Sequence, residues 1–81
     1  MHLQVPLVTL ASAVVGLLEA HASQEPVVEV ALGCLRNLSI AAPNLPTLRE
    51  LGVGDLARDA MARYPASEAL QQWGRAVRSR L

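Results

Sequence analysis

Between Leu7 and Ala20 the positions other than Leu, Val and Ala are Thr9, Ser12, Gly16 and Glu19, spaced three, four and three. That spacing draws one narrow line down a helix. Everything around the line is apolar, so the helix is expected to be buried over most of its circumference. Pro6 suits its first turn, where a missing N–H costs nothing. The next run, from about Pro26 to Ala41, repeats the pattern: Glu29, Gly33, Arg36 and Ile40 form the line, with Asn37 at its edge. A lone surface helix carries a much wider polar face. Two such helices in succession predict helical layers packed on both sides.

The apolar content is Leu, Val and Ala, with one Trp, one Tyr and no Phe. This favours closely packed helices over an aromatic-rich β core. Eighty-one residues suffice for one small domain or a piece of a larger one. Cys34 is the only cysteine, which excludes an intramolecular disulfide scaffold. Seven arginines, no lysine and seven acidic residues balance to zero net charge. Nothing electrostatic therefore favours a nucleic acid or an anionic membrane as partner.

Further along, "HASQEP" breaks the first helix and Pro26 fits the first turn of the second. "APNLP" reads as a loop, and "TLREL" as a short helix closed by Gly52 in a left-handed cap. Asp55 is expected to cap a third full helix that stops at Pro65, with an Asp59–Arg63 pair on its outer face. The last helix runs from Ser67 to about Arg80, with Leu70, Trp73, Val77 and Leu81 on one side. The expected fold is all-α, with about four main helices and one short one.

This order, together with Leu35, Asn37, Leu38, Asn44 and Gly52 in "EVALGCLRNLSIAAPNLPTLRELGVGDLARDAM", resembles the armadillo repeat. The resemblance implies a partial α-solenoid: 1–24 a helix of a preceding repeat, 25–64 one repeat, 65–81 a capping helix. It also implies a non-catalytic protein–protein interaction or scaffold module, such as the C-terminal end of a larger solenoid or a short isoform, in the cytoplasm or nucleus. In such solenoids the third helices line a concave groove, and their asparagine bonds the backbone of an extended peptide. Asn37 matches that asparagine, which makes Glu29, Gly33, Arg36 and Asn37 the groove candidates. Gly33 stands where nuclear-import members carry a tryptophan, so the resemblance does not extend to import signals.

Other readings attach to single stretches. Residues 1–22 have the outline of a signal peptide, and Asn37-Leu38-Ser39 is a literal glycosylation acceptor. Against secretion stand the absent basic n-region, Pro6, Glu19 and the single thiol. Residues 70–80 resemble the IQ motif of calmodulin-binding helices through Leu70, Gln71, Arg75 and Arg80, with Trp73 as anchor and Ala76 in place of the usual glycine. Cys34 reads as an inert core thiol. His2 and His21 lack partners at metal-ligand spacing, so no metal or cofactor is expected. No nucleophile elbow or carboxylate pair points to catalysis. The opening helix carries more apolar surface, at Leu7, Val8, Leu10, Val14, Val15, Leu17 and Leu18, than one neighbouring helix covers. That predicts a missing neighbour or self-association. Expressed in cells, the chain should retain its first residues and carry no glycan on Asn37, as checked by intact mass. Recovery from the medium starting at Ser23 would overturn this reading.

Overall fold

The computed structural model describes residues 7–81; Pro6 and the residues before it lie outside that range. The chain is all-α, with no strand among the described residues. Its elements are α1 (Leu7–Ala20), α2 (Glu25–Leu38), a 3-10 turn (Ala42–Asn44), α3 (Leu45–Glu50), α4 (Val53–Arg63) and α5 (Glu68–Arg80). α2 is the shared neighbour. α1 packs on one side of it and α5 on another, and α4 packs on α5.

One core runs through all of these helices. Val28, Leu32 and Leu35 of α2, Leu48 of α3, Val53 of α4, and Leu70 and Val77 of α5 are each at most 1% exposed. Each such side chain contributes about 1.5–3 kcal/mol on leaving water. Small residues set the spacing. Gly74 of α5 is buried against Met61 of α4, where a Cβ would overlap the thioether. Ala57 and Ala60 let α4 lie close to its neighbours.

Helix ends are closed by side chains from other elements. The last carbonyls of a helix have no partner within it and must find one elsewhere. Tyr64 Oη donates to the Ala22 carbonyl just past α1, at 2.6 Å. Asn44 Nδ2 donates to the Leu38 carbonyl that ends α2, at 2.8 Å. Gln71 Nε2 donates to the carbonyls of Met61 and Tyr64 at the end of α4, at 2.9 and 3.1 Å. At the start of α5, Ser67 Oγ accepts from the Leu70 amide at 3.2 Å, a regular N-cap. Its hydroxyl also donates to Glu29 Oε1 at 3.0 Å, which ties α5 to α2.

Several expectations need correction. α2 stops at Leu38 instead of continuing to Ala41. Asn44 takes the Leu38 carbonyl and Ser39 Oγ takes that of Arg36, so the following residues turn away. The N-cap of α4 is Gly52, whose φ of 73° lies in the left-handed region, as expected of that glycine. Asp55 instead sits in the first turn, 3.4 Å from Arg58. Asp59 pairs with Arg58 at 3.5 Å rather than with Arg63, whose guanidinium lies 5.9 Å from the Tyr64 ring centre.

α1 is not buried over most of its circumference: among its described side chains only Ala11, Val15 and Leu18 are buried. Those three positions form a single i, i+4, i+7 line, because one helix pair covers one line and no layer closes the other side. Thr9, Ser12, Gly16 and Glu19 are exposed, as their line predicts.

The open space around the Cβ position of Gly52 makes its cost purely conformational. Gly52→Ala should lower stability by about 1 kcal/mol or more, and Gly52→Asn by less. In thermal melts that corresponds to roughly 4–8 °C for a domain of this size. An unchanged melting temperature for Gly52→Ala would contradict the left-handed cap.

Candidate partner-binding face

The four groove candidates occupy two different faces. α2 has 3.6 residues per turn, so Glu29, Gly33 and Arg36 fall on one line. This line faces α5. Glu29 is half-buried and accepts from Ser67. Gly33 lies under the Trp73 ring, whose nearest atoms stand 3.4–3.6 Å from where a Cβ would be. Arg36 is half-buried as well, and its Nε is fully enclosed without a hydrogen-bond partner.

The open face of α2 is turned from that line by roughly a quarter of the helix circumference. It carries Val30, Cys34 and Asn37, all exposed, with Val30 at 64%. Cys34 is therefore not a core thiol. It shares this face because position 34 follows Val30 by one turn. The face ends at a side-chain bond in which Arg36 Nη1 donates to Asn37 Oδ1 at 3.1 Å. Of the four candidates, Asn37 alone stands on the open face, with Arg36 reaching it from the side.

Sequence reasoning placed the open line one residue too early, for a physical reason. Val30 and Cys34 are apolar and read as buried, whereas Glu29 and Gly33 are polar or bare and read as open. α5 reverses both assignments, since Ser67 satisfies Glu29 and an indole fills the space over a glycine. The nearest sequence signal was Trp73, a large ring on α5 needing a bare partner position.

The helix that resembles an IQ motif is also committed inward. Leu70 is fully buried, Gln71 closes the end of α4 and Trp73 covers Gly33, while Arg75 and Arg80 are exposed. Presenting Leu70 and Trp73 to a calmodulin-type partner requires α5 to leave the core.

A cleft of about 320 Å³ that the sequence did not suggest opens between α1, α2 and α4. Leu18, Val28, Leu56 and Ala60 line its apolar part, and Glu19, Asp59 and Arg63 its charged part. Among the described residues no three His, Cys, Asp or Glu side chains gather as a metal site, and no helix is long and apolar enough to cross a membrane.

A scan against protein-family models finds no match for the chain, and neither do searches of curated proteins and of solved structures.

The Gly33–Trp73 contact separates a packed position from an open one. Gly33→Ala should be neutral or stabilising by up to ~1 kcal/mol, because a Cβ meets the ring at near-contact distance and alanine favours helix. Gly33→Leu should displace the indole, red-shift Trp73 fluorescence and cost about 1–3 kcal/mol. If Gly33→Leu leaves both stability and fluorescence unchanged, Gly33 faces water.

Proposed function

We propose that this chain is a non-catalytic protein-interaction module of armadillo type that holds an extended peptide against the open face of α2. The observation that carries the reading is the exposed Val30–Cys34–Asn37 line, ending at the Arg36–Asn37 side-chain bond. An amide with both a donor and an acceptor is suited to the backbone of an extended segment, and the apolar Val30 beside it suits that segment's side chains. Arg36 adds a second polar group. Its enclosed, unpartnered Nε is costly where it lies, and a peptide acceptor that drew the guanidinium outward would relieve that cost.

The order of helices supports the armadillo comparison: a long helix, a short one ending at a left-handed glycine, a medium one and another long one. The Asn44 bond to the end of α2 supplies a reason for the asparagine in the loop. This reading places the protein in the cytoplasm or nucleus as a scaffold or adaptor. It assigns no catalytic residue and no cofactor.

Selection from a random extended-peptide library against the full chain tests this reading. Selected peptides should bind with affinities near the micromolar range, and Asn37→Ala should weaken them about tenfold or more. Val30→Glu should weaken them as well, and both variants should keep the helical circular dichroism of the parent. Peptides whose affinity ignores both substitutions would remove the open face of α2 from the proposal.

A further inference from the structure

The cleft between α1, α2 and α4 takes no part in the peptide face. Its residue from α2 is Val28, two positions before Val30. Two positions turn a helix by about 200°, so cleft and peptide face lie on nearly opposite sides of α2. Nothing said of the one depends on the other.

The volume of about 320 Å³ falls at the lower end of small-molecule sites. Leu18, Val28 and Ala60 are at most 6% exposed and form the floor, with the half-buried Leu56 and Tyr64 beside them. Tyr64 is fixed there by its bond to the carbonyl of Ala22, which also lines the cleft. The charged residues Glu19, Asp59 and Arg63 are all exposed and therefore stand at the mouth.

Two carboxylates and one guanidinium leave the mouth with one negative charge in excess. The guanidinium cancels neither carboxylate. Arg63 lies 5.9 Å from the Tyr64 ring centre and forms no salt bridge with Glu19 or Asp59. Among the described residues Glu19 has no ion-pair partner. Asp59 has only the exposed Arg58 at 3.5 Å, and such a surface pair is weak.

We infer that this cleft binds a small primary amine with an aliphatic body, its tail on the apolar floor and its ammonium at the mouth with Glu19 and Asp59. An ammonium brings three N–H donors and no acceptor, and carboxylates answer that need with charge-assisted hydrogen bonds. The excess negative charge disfavours a fatty carboxylate of the same shape. Polarity runs from an apolar floor to a charged mouth, and that order decides against a lysine side chain. Lysine enters ammonium first, which would bring its charge down onto Leu18, Val28 and Ala60. A free amine enters tail first and keeps its charge at the wet rim.

Titration of the full chain with hexylammonium at pH 7, followed by two-dimensional NMR, tests this assignment. Resonances of Ala22, Ala60 and Tyr64 should shift together with a dissociation constant of about 1 mM or tighter. Butylammonium, two methylenes shorter, should bind about tenfold more weakly. Glu19→Gln and Asp59→Asn should each weaken hexylammonium about threefold, and Arg63→Gln should tighten it by a similar factor by removing a competing cation. All three side chains are exposed, so helical circular dichroism should be retained. Hexanol, hexanoate and Nα-acetyl-lysine methylamide should each bind about tenfold more weakly than hexylammonium or worse. Absence of shifts at these residues with about 10 mM hexylammonium overturns the proposal. So does hexanol binding as tightly, which makes the cleft merely apolar. Hexanoate binding as tightly, and weakened by Arg63→Gln, overturns it in favour of an anion. The lysine amide binding as tightly overturns it in favour of a protein side chain. If Asp59→Asn fails to fold, Glu19→Gln and the ligand series still decide.

Discussion

Everything in this molecule is arranged around α2, which is packed by α1 on one side and by α5 on another. Val28, Ala31, Leu32 and Leu35 are at most 1% exposed, and no other helix has four such positions in a continuous patch. A helix clasped in this way leaves only a narrow strip for water. That strip carries Val30, Cys34 and Asn37. The same clasp explains why Glu29 and Gly33 are not available, because α5 already uses them.

The clasp depends on closed helix ends. In a chain of short helices with brief connections, many carbonyls lack a partner within their own helix, and leaving them unsatisfied would cost more than packing returns. Tyr64, Asn44 and Gln71 each reach from a later element to the end of an earlier one. These bonds carry geometric information as well as energy. Tyr64 fixes the end of α4 against the turn after α1, and Ser67 fixes the start of α5 against Glu29. The relative placement of the helices thus rests on a few polar side chains laid over an aliphatic core of modest size.

The surface is divided accordingly. The first two helices keep leucine and valine in water, while α4 and α5 turn Asp55, Arg58, Asp59, Gln72, Arg75 and Arg78 outward.

The amino-acid sequence by itself determined the helices. Their number, their order, the left-handed turn at Gly52 and the start of the last helix at about Ser67 follow from local chemistry: proline and glycine positions and the 3.6-residue period. The exposed line of Thr9, Ser12, Gly16 and Glu19 was legible for the same reason. Which face of α2 meets water was decided only by the tertiary structure. Val30 and Cys34 are chemically fit for burial and Glu29 for solvent, yet α5 covers Glu29 and Gly33 and leaves the other two open. Residue polarity reports what a side chain prefers in isolation. Burial is set by which neighbour arrives, and here that neighbour is an indole and a serine hydroxyl from some forty residues further along the chain.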